Sequence, residues 1–222
     1  MSLKLAALAA LFAMVLSCGL AASEEGKEGM MLLDAVRAGK LMEVRSMLGK
    51  ADLEARDGQG RSALLLATHA NNVEIARALI DAGADVNARD AIKDTPYLYA
   101  GAEGRDEILK AILATGRANL KDTNRYGGTA LIPAADHGHP STVSILIDAG
   151  VDIDHVNNLG WTALLEAVIL GDGGPIYQEI VGLLIDAGAQ QIPDRDGVTP
   201  LDHAKRRGFE AIAQRIAAGK KR

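Results

Sequence analysis

From about residue 30 onward, one block of apolar and polar positions keeps returning. A short, almost wholly apolar stretch comes first, as in "ALLLA" at 63–67. A second stretch follows with apolar residues at helical spacing, as in Val143, Ile145, Leu146 and Ile147. A glycine then closes the block, at Gly83, Gly116, Gly150 or Gly188, and an Asp- and Asn-rich loop leads into the next. Apolar positions three and four apart place one helix face in a core. A glycine just past the last of them suits the left-handed cap that ends a helix. The pattern predicts two helices per block, a tight turn between them and a loop between blocks.

The blocks repeat in register. Five segments open helix one alike: "GRSALLLA", "KDTPYLYA", "GGTALIPA", "GWTALLEA" and "GVTPLDHA". Their Ser62, Thr95, Thr129, Thr162 and Thr199 are spaced by 33, 34, 33 and 37 residues. Each is placed to cap helix one with its hydroxyl. Pro96 and Pro200 follow at the first helical position, where a missing N–H costs nothing. Four segments close helix two alike: "LIDAGADVNARD", "ILATGRANLKDT", "LIDAGVDIDHVN" and "LIDAGAQQIPDR". A fixed period of this length means stacked copies of one supersecondary unit. Two departures stand out. Lys93 takes the place of a loop glycine. Thr162 to Gly188 spans 26 residues where the preceding repeats span 21, so five extra residues enter around "GDGGP", Gly171 to Pro175. They are expected in the inter-helix turn, with Pro175 restarting helix two. They either form a tolerated surface loop or, beside Leu170, lengthen helix one or make a flap over the groove.

These segments, and "GADVNARD" at 83–90 above all, resemble the ankyrin repeat. The resemblance implies an all-α repeat fold, an ankyrin solenoid of stacked antiparallel helix pairs with β-hairpin-like loops. It covers 30–222: an N-terminal cap at 30–56, repeats at 57–89, 90–123, 124–156 and 157–193, and a C-terminal cap repeat at 194–222. The wording of the later repeats is similar to that of secreted bacterial ankyrin proteins. In this family the concave face, formed by first helices and hairpins, usually binds partner proteins.

Residues 1–22 are set apart. Lys4 precedes an unbroken apolar run from Leu5 to Leu16, and small residues follow. That order predicts a secretory signal peptide. Cys18 is the one cysteine of the chain, so no internal disulfide can form. "VLSCG" resembles a bacterial lipobox, in which Cys18 would carry lipid. Cleavage after Ala21 or Ser23 would instead discard it. Residues 23–29 are expected to form a flexible tether. The expected location is the periplasm, either free or as an outer-membrane-anchored lipoprotein.

Composition narrows the function. The net charge is −5 and no broad basic stretch occurs, which argues against nucleic-acid binding. His137 and His139 are paired, but zinc needs three or four converging ligands, so no metal and no cofactor is expected. HExxH, GxSxG and P-loop motifs are absent from the sequence, and no nucleophile–base pair is visible, so the chain is read as no enzyme. The positions that vary between repeats lie on helix one and the loops. They give the candidate partner-binding residues Tyr99, Glu103, Arg125, Tyr126, Asp136, His137, Asn158, Trp161, Glu166 and His203. Tyr and Trp are common binding anchors. Tyr97 replaces a core Leu and is expected to be buried. Glu166, if half-buried, needs a donor such as Arg125, His137 or a backbone N–H. The function expected is a non-enzymatic, monomeric protein-binding module of the bacterial cell envelope. The alternative is an accessory protein that handles a small ligand, metal or haem in the groove, through Tyr99, His137 and Glu166.

Overall fold

A computed structural model of the chain describes residues 26–219, so the expected signal peptide and Cys18 lie outside the described residues. Within them are twelve helices and no strand. The chain forms two compact units, one ending at Asp85 and one beginning at Val86. The first holds α1 (26–37), α2 (Leu41–Met47), α3 (Ala63–His69) and α4 (Val73–Asp81). Helix α1 begins at residue 26, inside the segment expected as a tether, and Gly29 is buried against Ala55.

The second unit holds four helix pairs: α5 (Pro96–Ala102) with α6 (Asp106–Ala114), α7 (Leu131–Asp136) with α8 (Pro140–Asp148), α9 (Ala163–Ile169) with α10 (Pro175–Asp186), and α11 (Pro200–Arg206) with α12 (Glu210–Ala218). First helices α5, α7, α9 and α11 pack side by side in one layer, and second helices in another. The core is built from small and branched aliphatic residues. Leu131, Ala134, Leu164, Ala167, Leu184 and Ile212 are buried. Tyr97 is fully buried with them, its hydroxyl without a hydrogen-bond partner. Gly101 lets α5 and α7 approach, because a Cβ there would stand 2.8 Å from that of Ala130.

Four of the five expected caps form. Ser62, Thr95, Thr162 and Thr199 each accept the N–H three residues on. Thr129 does not, and Pro133 is the reason. In the other first helices the residue four after the cap donates its N–H to the cap carbonyl, as Glu166 does to Thr162 at 3.0 Å. Pro133 has no N–H to give. Ile132 turns its N–H to the Thr129 carbonyl instead, at 3.2 Å. The Thr129 hydroxyl is left buried without a partner, and α7 is assigned only from Leu131.

Candidate functional site

Every loop between helix pairs is one turn, organised by its first residue. Asp57, Asp90, Asn124, Asn157 and Asp194 each accept, through one side-chain oxygen, the N–H groups two and four residues on. The fourth position of the turn has positive φ: Gly60, Gly127, Gly160 and Gly197, with Lys93 at +69° in their place. This frame leaves the residue two after the head at the tip, pointing away from the core.

Three of the four loop tips of the second unit are apolar. Ile92, Tyr126 and Leu159 stand at the same place in three successive loops and are 52%, 55% and 50% exposed. The equivalent residues in the flanking loops are polar, Gln59 and Asp196. Ile92 was missed by the sequence reading, although the register offered the signal. The Asn158 N–H donates to the Tyr126 carbonyl at 3.0 Å, which ties two of these tips together. The Asn158 carbonyl accepts Arg195 at 2.6 Å. Its backbone thus holds the row together, while its side chain is exposed.

Charged groups stand at the loops and at the C-terminal ends of the first helices. The Arg125 guanidinium lies 4.8 Å over the Tyr126 ring and 3.8 Å from Asp94. Asp94 is raised above its ordinary value by burial, and by the charges of Asp90 and Glu103. The His137 ring donates through Nδ1 to the Ala102 carbonyl at 2.7 Å. It stands between two carboxylates, 3.9 Å from Glu103 and 3.7 Å from Asp136. Burial raises the Asp136 carboxyl, and His137 opposes this. Half-buried Tyr99 is likewise raised, by burial first and then by Glu103. Trp161 is half-buried, and its backbone N–H and carbonyl close the Asn157 turn: the N–H donates to the Asn157 side-chain oxygen and the carbonyl accepts the Asn157 N–H.

Two candidates have internal employment instead. Glu166 is only 6% exposed, and its carboxyl accepts the Asn157 side-chain amide at 2.7 Å. The donor is thus Asn157 rather than Arg125 or His137. Burial, reinforced by Asp136, pushes its pKa up to about 7 against the Asn157 bond. His203 donates through Nε2 to Asp194 at 2.7 Å and is half-buried. In both repeats the loop head bonds the helix residue nine positions on, and the types complement: Asn gives to Glu, Asp receives from His. A carboxyl closed off in this way offers no surface to a partner, so Glu166 belongs with the core.

The "GDGGP" segment is also structural. Helix α9 keeps seven residues, so helix one is not lengthened. Helix α10 has 12 residues where α6, α8 and α12 have nine. Three of the extra residues therefore extend helix two, and the other two widen the turn. The added length carries Tyr177, whose hydroxyl donates to the Asp136 carbonyl at 2.8 Å. Gly173 packs on the Phe209 ring. The segment fastens three neighbouring inter-helix turns and forms no flap.

Among the described residues no group of three His, Cys, Asp or Glu side chains is placed to hold a metal ion. Two surface depressions, of about 570 and 190 Å³, lie in the first unit between helices α2 and α4 and beside α1, and no candidate residue lines them.

Known proteins agree with this architecture. A family model for ankyrin repeats in three copies matches residues 7–90, 32–122 and 98–190. The ankyrin repeat protein YahD of Escherichia coli (strain K12) is 39% identical over 189 residues, 83% of this chain and 94% of its own. The crystal structure of an ankyrin repeat domain from Acinetobacter baumannii AYE superposes with a TM-score of 0.81 at 53% identity, over 84% of this chain and 96% of that one. The ankyrin repeat domain of Bcl-3, of the IkappaB family, does so with 0.76 at 27% identity, over 85% of each chain. Ankyrin repeats are in general protein–protein interaction modules, scaffolds rather than catalysts. By motif, fold and likeness to these relatives, the chain belongs to the ankyrin repeat family.

Proposed function

We propose that this chain is a non-enzymatic docking module that captures one partner protein of the bacterial cell envelope on the loop-tip side of its second unit. The observation that carries this reading is the row Ile92, Tyr126 and Leu159. Three large apolar side chains stand about half in water at equivalent positions. Exposed apolar surface that recurs in register is the usual mark of an interaction site. The half-buried Trp161 and the Arg125–Tyr126 stack add the residue types that dominate binding energy. Export and anchoring belong to the same proposal, through residues 1–22 and Cys18.

A photoreactive phenylalanine at Tyr126 or at Leu159 should trap a single adduct in living cells. The same residue at Glu179, on helix two, should trap none. Equal adducts from all three positions would remove the tips as the docking side. Cys18→Ser should release the protein from the membrane fraction, and unchanged fractionation would remove the lipid anchor.

A further inference from the structure

Each apolar tip has a cation beside it. Lys93 follows Ile92 in the chain and is exposed, with no carboxylate within ion-pair distance among the described residues. The Arg125 guanidinium lies over the Tyr126 ring. Arg195 reaches across the loop of Leu159, its guanidinium on the Asn158 carbonyl and its aliphatic chain against Gly160. The same contacts set the loops side by side: Arg125 approaches Asp94, Asn158 bonds Tyr126 and Arg195 bonds Asn158.

The carboxylates of these loops are mostly committed elsewhere. Asp90 and Asp194 are half-buried, and each accepts two backbone N–H groups of its own turn; Asp194 accepts His203 as well. Asp94 is half-buried and stands 3.8 Å from Arg125, too long for a hydrogen bond. Only Asp196 is exposed, at the tip of the last loop, beyond the apolar row. The row itself therefore presents three exposed cations among its apolar groups.

We infer that the partner docks a segment that combines apolar residues with aspartate or glutamate, the apolar ones on Ile92, Tyr126 and Leu159 and the carboxylates beside them on Lys93, Arg125 and Arg195. This rests on the docking reading above and adds the chemistry of what docks. Charge complementarity selects the occupant: an acidic segment finds a cation at each tip, and a basic one meets three like charges. Two of the cations are guanidinium groups already held in place, one by a ring and one by a carbonyl, and their planar fork suits a carboxylate. An anionic lipid surface shares this chemistry, but the chain carries a net charge of −5. A broad negative surface faces that whole charge, whereas a narrow segment meets only the tips. The carboxylates supply orientation and rate more than affinity, since exposed ion pairs are individually weak.

The test uses the full chain, two synthetic peptides of equal length, and vesicles of phosphatidylglycerol with phosphatidylcholine. One peptide repeats Val-Val-Glu-Glu and the other Val-Val-Lys-Lys, so each face of an extended chain carries both kinds of residue. In calorimetry the acidic peptide should bind, more weakly as salt rises. The basic peptide and the vesicles should bind less tightly than it does. K93Q, R125Q and R195Q together should weaken the acidic peptide about tenfold, as three exposed ion pairs would. K93Q alone, which breaks no ion pair within the fold, should weaken it about threefold. The pair I92S and L159S should cost at least as much as the triple variant. A control triple, K40Q, R45Q and K110Q, removes the same charge from places away from these loops and should change binding less than about twofold. No binding of the acidic peptide, equal binding of the basic one, vesicles bound more tightly than the acidic peptide, or equal loss in the control triple would overturn the acidic class. If adducts at Tyr126 and Leu159 persist in that event, the docking side stands and only its chemistry falls. If they vanish too, both fall.

Discussion

The loop headed by Asp57, in the first unit, and the loop headed by Asn157, in the second, share one backbone frame and differ in what the head does with its remaining polar atom. Asp57 gives its second oxygen to Arg61 and Arg37, both at 2.9 Å. Its tip residue is Gln59, and the loop faces water. Asn157 gives its amide to buried Glu166, and the tip beside it is Leu159. The turn itself therefore leaves open what a loop presents. The second bond of the head ties the loop to Arg37 of α1 in one case and to Glu166 of α9 in the other, and the tip is free to vary.

The largest effect expected is at Asp57. Burial alone would raise its carboxyl, but the bonds from Arg61, Gln59 and Arg37 outweigh this and hold it well below the usual range. Asp57→Ala should cost about 3 kcal/mol, because both loop N–H groups and two guanidinium groups lose their acceptor. Thermal and urea unfolding would measure it. A depressed carboxyl contributes stability above its unfolded pKa and loses it as pH falls. The difference between wild type and Asp57→Ala should therefore shrink below about pH 4.

At Asn157 the pH dependence should run the other way. Glu166 is raised in the fold, so the unfolded chain releases this proton first, and the group's contribution falls as pH rises from 4.5 to about 7. Over that window it amounts to about 3 kcal/mol at most. Glu166→Gln should flatten the slope in unfolding measured across these pH values. Asn157→Asp sets carboxyl against carboxyl and should cost about 2 kcal/mol at neutral pH, with recovery in acid. Equal behaviour at pH 5 and pH 8 would show that the pair is not coupled.

Smaller effects test the two places where a repeat departs from its neighbours. Pro133→Ala supplies an N–H for the Thr129 carbonyl, which frees the Ile132 N–H for the Thr129 hydroxyl, and should stabilise by about 1 kcal/mol. Lys93→Gly relieves a side chain held at positive φ and should gain about 0.5 kcal/mol, the strain being partly offset by the entropy of glycine. Both are read from unfolding midpoints.

Much of this was legible before any coordinates. The period, the hydroxyl caps and the C-cap glycines are local signals, and they located both helices of each repeat. Tyr97, in place of a Leu, read correctly as core. The Pro133 effect was also present in the sequence, but a proline four residues past a cap tells only when the competing carbonyl is considered. Variation between repeats makes Glu166 and His203 candidates for binding, and for Glu166 the sequence also points to a hydrogen-bonded, half-buried carboxyl, but with Arg125, His137 or a backbone N–H as donor rather than Asn157. Their partners lie nine residues back, across a turn, and only complementary residue types at that spacing hint at the bond.

Sequence by itself determined the repeat, its register and the hydroxyl-capped starts of four first helices, because capping and amphipathic spacing act within a few residues. Tertiary structure decided which variable side chains meet water. Burial of Glu166, the line of Ile92, Tyr126 and Leu159, and the Tyr177 bond to Asp136 all depend on how one repeat packs on the next. That packing brings together residues more than thirty positions apart, over distances that no local pattern encodes.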